Sequence, residues 1–277
     1  MMKIIIFQRF IYCFLPCIFI STAHAAETVY RMGVVPQFDH RRIQAIWQPI
    51  IDHIAQSSGV QLKLEGSPDI PQFEKNFSTG NFDLAYMNPY HLLIAHQKQG
   101  YKPLIRDTGR SLYGIIVVHK DSPLQKIEDL AGKTIAFPAP NALGAALIPR
   151  AEFTHKFHID VNPRYVRSHT SVYLNVAMGQ AAAGGGVQKT LEQQKPEIRN
   201  KLRILYQTTA IAPHPIAIHP RVPAVIRKKI TNALLQLGAS KEGRVILNKV
   251  PIKTIGRATL MDYEALKNMG LEDFYVR

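Results

Sequence analysis

The chain has 277 residues, and its 34 Lys and Arg against 20 Asp and Glu give a formal charge of +14. The basic residues are scattered rather than clustered, which argues against a nucleic-acid footprint and leaves a positive field that favours anionic small molecules or an anionic membrane surface. The only cysteines are Cys13 and Cys17, so no disulfide framework or thiolate metal site is expected beyond them, and stability must come from a core, for which the remaining length is enough for two lobes or one large domain.

Residues 1–25 read as a secretory signal peptide. Lys3 and Arg9 precede an apolar run at 11–20, and Ala23-His24-Ala25 supplies the small residues of a cleavage site, which makes Ala26 the expected mature start. The run is too short for a membrane span. Without Lys3 and Arg9 the balance is 32 basic to 20 acidic residues, or +12.

Residues 29–35 (VYRMGVV) predict a strand stopped by Pro36, and 43–56 (IQAIWQPIIDHIAQ) a helix closed by Gly59. A strand at 60–64, a helix at 70–77, a strand at 83–87 and a helix at 91–99 closed by Gly100 follow. The β-branched run 113–120 (YGIIVVHK) predicts a long strand. Then come a short helix ending at Gly132, a strand up to Phe137, a turn, a helical stretch over 141–157, a strand at 164–167 and a helix at 171–178. Residues 181–187 read as a small-residue strand or loop. Strands at 202–208 and 216–219 and helices at 225–237 and 240–250 complete the chain.

This alternation predicts βαβ units and parallel sheets in an α/β protein. Extended segments around 113–119 and 208–219 bracket a middle block of roughly 90 residues, large enough for a lobe of its own. The expected organisation is lobe 1 from 26–115 and 211–277 and lobe 2 from 116–210, joined by two crossover strands. Ligands of such folds bind where strand ends face the crevice.

The densest group of recognition side chains is FDLAYMNPYH at 82–91. Tyr86, Asn88 and Tyr90 put hydroxyl and amide groups on rigid bodies, which suits a small polar ligand, and His91 adds an imidazole; the alternative is Tyr90 or His91 as a satisfied core residue behind the loop. Gln37 follows the first strand, and Tyr113 stands at the presumed crossover. Asn141, Ala142, Leu143 and Gly144 open a helical stretch whose free amides suit an anion; the alternative is Asn141 as an ordinary cap. Ser168, His169, Thr170 and Ser171 also precede a helix, with His169 either facing a ligand or solvated beside a Ser168 or Thr170 cap. Gly185 lies in the run AAAGGG, a place for close backbone approach or a flexible loop. His214 and His219, split by prolines, are a weak metal signal. No HExxH, GxSxG or paired catalytic carboxylate occurs, so no enzyme, metal or cofactor is expected.

Four stretches, GVVPQFDHRRIQAIWQPIIDHI, FDLAYMNPYH, DSPLQKIEDLAGKTIAFPAPNALGAALIPRA and SHTSVYLNVAMGQAAAGGG, resemble the periplasmic solute-binding proteins of phosphate, phosphite and phosphonate ABC transporters. The resemblance implies a two-lobed type II periplasmic-binding-protein fold that closes on a small oxyanion, a periplasmic location, a monomer, and an inner-membrane permease as partner. A sensory subunit signalling to a membrane histidine kinase or cyclase is the alternative. It also implies that His169 contacts the ligand. The family's hydroxyl run falls on Ala142, Leu143 and Gly144, which lack hydroxyls. The acid that takes a ligand amino group falls near the glycines at 184–186, so an aminophosphonate is not expected.

Overall fold

The computed structural model describes residues 28–250 and 252–276; the expected signal peptide lies outside the described residues. A first run contains β1 (Tyr30–Val34), α1 (His40–Ser58), β2 (Leu62–Glu65), α2 (Ile70–Ser78), β3 (Leu84–Tyr86), α3 (Pro89–Gln99) and β4 (Lys102–Asp107). A second contains β5 (Gly114–His119), β6 (Thr134–Phe137), α4 (Ile148–His155), β7 (Asn162–Tyr165), α5 (His169–Ala177), β8 (Ala183–Val187), α6 (Gln188–Glu192), α7 (Pro196–Arg199) and β9 (Leu202–Gln207). The chain then returns through β10 (Ile216–Ile218), α8 (Ala224–Ala239), α9 (Lys241–Asn248) and β11 (Ile255–Arg257). Short 3-10 turns follow at Leu260–Asn268 and Leu271–Asp273.

These strands make two sheets, ordered β11-β4-β10-β3-β1-β2 and β7-β6-β8-β5-β9. The sheets are mixed, which corrects the expectation of parallel ones. β1, β2 and β3 run parallel, as do β6, β7 and β8. β10 enters the first sheet antiparallel to β3 and β4, and β5 enters the second antiparallel to β8 and β9. Each inserted strand comes directly off a connection between the sheets and therefore enters against the βαβ direction.

Helix ends follow local rules. Asp39 accepts from the Arg42 amide at 3.0 Å to start α1, and Gly59, at φ 68°, stops it in the left-handed region. The inward face of α1 carries Ile43, Trp47, Ile50, Ile51 and Ile54, a helical repeat whose burial stabilises by about 1.5–3 kcal/mol for each large side chain.

Residues 181–187 are no flexible loop: β8 is the middle strand of its sheet. A methyl on Gly185 would lie 1.9 Å from the Ala145 carbonyl oxygen, and one on Gly186 would lie 2.1 Å from the Tyr173 hydroxyl. Here glycine is demanded by contact on both faces of the sheet. The main core cluster is built on the first sheet and its helices but also takes in Leu143, Leu147, Ile148 and Ala151 from the second run. Two connections, residues 108–113 and 208–215, link the sheets. Between them Leu112 and Ile211 exchange both backbone hydrogen bonds, each 2.8 Å.

Candidate ligand site between the sheets

On the first-sheet side, β3 ends at Tyr86 and the chain turns into α3. Asn88 caps that helix, accepting from the His91 amide at 2.8 Å, and Pro89 takes the first helical position, where its missing N–H costs nothing. The Asn88 amide also reaches across to the Asn141 carbonyl at 3.4 Å. The Tyr86 ring lies 4.8 Å from Trp47 and stacks on His214 at 5.3 Å. Burial, with a smaller contribution from the Asp107 charge, pushes its hydroxyl pKa well above the ordinary tyrosine value. Tyr90 is buried and meets Tyr275 edge-on at 5.4 Å. His91 is fully buried beside Phe73 and Phe77, with Nε2 2.9 Å from Glu74 Oε1. Its Nδ1 has no hydrogen-bond partner among the described residues.

On the second-sheet side, Asn141 is not a helix cap. Its Nδ2 donates to the two Glu74 carboxylate oxygens at 2.9 and 3.1 Å and to the Val276 carbonyl at 2.7 Å. Its Oδ1 accepts from the Val276 amide at 2.9 Å. The helical stretch instead opens as a π-turn at Leu143–Leu147, with Ala142 before it and no side-chain cap. Leu143 is buried in the first-sheet core cluster. Gly144 abuts β5 so closely that a methyl on Gly114 would sit 1.8 Å from the Gly144 carbonyl oxygen.

Ser168 caps α5, accepting from the Ser171 amide at 3.1 Å, and Thr170 is exposed. His169 is not a solvated imidazole. Its Nδ1 lies 3.3 Å from the Thr190 hydroxyl, which is 2.7 Å from that of Tyr173, and burial lowers its pKa to about 4. Tyr113 packs on the second-sheet core. Gly185 lies within β8, facing Ala145 and Phe137.

His214, in the second connection, packs against the first-sheet side. Its Nε2 is 3.2 Å from Gln37 Nε2. Its pKa is lowered to about 3, first by burial and then by the charges of His91 and His169. With Tyr86 stacked on its ring and Gln37 at its Nε2, His214 fixes the second connection against the ends of β1 and β3. From the sequence His214 stands out only as a weak metal signal with His219, split from it by prolines. The available signal was its position inside a crossover segment. Among the described residues no cluster of three or more His, Cys, Asp or Glu could hold a metal. A hollow of about 590 Å³ lies elsewhere, along the connections, lined by Arg106, Arg110, Ser111 and Ile211; none of the expected ligand residues borders it.

The sequence pattern of the family described as "ABC transporter, phosphonate, periplasmic substrate-binding protein" matches residues 32–263. The chain is 21% identical over 247 residues to the phosphonates-binding periplasmic protein of Escherichia coli (strain K12), spanning 83% of this chain and 73% of that one. It is 23% identical over 232 residues to the phosphate-import protein PhnD of Mycolicibacterium smegmatis, spanning 75% and 72%. In structure it resembles PhnD1 from Prochlorococcus marinus in complex with methylphosphonate, with a TM-score of 0.78 and 15% identity over 88% of this chain and 97% of that one. A binding protein component of an ABC phosphonate transporter from Pseudomonas aeruginosa gives a TM-score of 0.75 at 17% identity, over 88% and 85%. These likenesses show the two-lobed type II periplasmic-binding-protein fold, and the chain belongs to the family of periplasmic substrate-binding proteins of phosphonate ABC transporters, a binding family and not an enzymatic one.

Proposed function

We propose that the protein captures a small phosphorus oxyanion between its two lobes and delivers it to an inner-membrane permease. The observation that carries this reading is His214, from the second connection, set 3.2 Å from Gln37 Nε2 and stacked on the Tyr86 ring of the first lobe at 5.3 Å. Burial keeps the His169 and His214 imidazoles neutral at pH 7. A neutral imidazole keeps one N–H to donate and can accept a proton when an anion arrives. Ala142, Leu143 and Gly144 offer backbone amides rather than hydroxyls. Residues 184–186 offer no acid for a ligand amine, so phosphate, phosphite or a simple alkylphosphonate is the expected class. Residues 1–25 are read as a signal peptide cut before Ala26, and the mature protein as a monomer. Intact mass and light scattering on one preparation check both.

The deciding experiment is a thermal-shift series with phosphate, phosphite, methylphosphonate, aminoethylphosphonate, sulfate, carboxylates and amino acids. A ligand present at a thousand times its Kd should stabilise by about 4 kcal/mol. We expect that gain with a phosphorus oxyanion lacking an amine, and its loss in His169→Ala and His214→Ala. A shift confined to carboxylates or amino acids would overturn the reading.

A further inference from the structure

We infer that the C-terminal segment, residues 270–276, is a latch: a tie between the lobes, additional to the two connections and the shared core, that favours the closed arrangement even without ligand. The segment sets out from the first lobe, where Leu271 is fully buried in the main core cluster. Gly270, at φ 62°, turns it toward α4, and a methyl there would lie 2.6 Å from the His155 ring. Asp273 Oδ2 then lies 3.4 Å from His155 Nε2. The Phe274 ring meets His155 edge-on at 5.8 Å and stands 5.4 Å from the Arg150 guanidinium. Arg150 Nη2 donates to the Phe274 carbonyl at 2.7 Å and to that of Pro140 at 2.8 Å.

The last described residues complete the tie. The Asn141 side chain clasps the Val276 backbone in both directions, at 2.7 and 2.9 Å, much as a neighbouring strand would. Tyr275 turns back to the first lobe, edge-on to Tyr90. Within six residues the segment therefore holds α4 and residue 141 of the second lobe and α3 of the first. Asn141 shares its amide between Val276 and Glu74 of α2, so tail and first lobe grip the same side chain. The two crossovers permit the lobes to turn; these contacts exist only while the lobes are together. A state with several such bonds is favoured over one without them, whatever occupies the cleft.

No cysteine follows Cys17, so Arg41→Cys on α1 and Glu197→Cys on α7, both exposed, accept one spin label each. Pulsed electron resonance then reads the interlobe distance in the ligand-free chain. Val276→Pro deletes the N–H that Asn141 accepts, Phe274→Ser removes the ring, and Val276→Ala keeps the N–H as a control. We expect a short-distance population in the parent and the control that falls at least threefold in each of the other two, with unchanged far-UV circular dichroism. The inference is overturned if the parent lacks that population or if Val276→Pro leaves it intact. Because no ligand is present, failure here leaves the proposed anion binding untouched.

Discussion

His169 and His214 have pKa values lowered by burial to about 4 and about 3, against an ordinary 6.5. The unfolded chain takes up these protons as pH falls through about 6.5, whereas the folded chain resists until about 4 and below. Stability should therefore be level above pH 7, decline between pH 6.5 and 4, and flatten once both forms are protonated. At about 1.4 kcal/mol per pKa unit each histidine contributes at most a few kcal/mol to that decline, His214 more than His169, and less in proportion to its partial exposure. Urea titrations from pH 8 to 4 check this, and His169→Gln should make the slope shallower; an unchanged slope would contradict a buried neutral imidazole. At this scale the sequence was legible in residue type. AYMNPYH, SHTS and the glycine run all stood out, but their partners did not. Nothing near Asn141 in the chain announces Glu74 or Val276, and nothing near Gly185 announces the Ala145 carbonyl, because those contacts exist only once distant segments meet.

Among elements, the end of β4 has an unusual fixture. Asp107 is 2% exposed, and its carboxylate accepts from the Gly109 and Thr254 amides at 2.8 and 2.9 Å and from the Lys253 amide at 2.7 Å. It ties the first crossover to the segment that leads into β11. Asp107→Ala should cost about 3 kcal/mol, since several amides lose their acceptor at once; a guanidinium midpoint within error of the parent would refute it. Helix ends were legible at Gly59, Gly100 and Ser168, which act through their own neighbours, whereas the Asp39 and Asn88 caps appear only in the structure. β4 was hidden, since its six residues, KPLIRD, open with Lys and Pro and close with Arg and Asp. Pro103 there pairs beside a register shift in β10, the kind of irregularity that lets a sheet accept proline. β11, with three residues, is too short for any period to show.

For the molecule as a whole, the main core cluster joins the two lobes through Leu143, Leu147, Ile148 and Ala151. Unfolding should therefore be a single event. Trp47, the lone tryptophan, is buried beside Tyr86 in the first lobe. Its fluorescence and the far-UV signal should follow one coincident urea transition; two separated transitions would mean that the lobes fold independently. The two-lobed plan was readable from the order of strands and helices, while the mixed direction of the sheets was not, because strand polarity depends on which sheet a returning segment joins. The paired crossovers have a mechanical consequence. Leu112 and Ile211 hold the two connections together as a narrow ribbon, and a ribbon twists and bends more readily than its strands slide past each other. Any relative turn of the lobes must therefore be taken up by twisting or bending this ribbon rather than by shearing it.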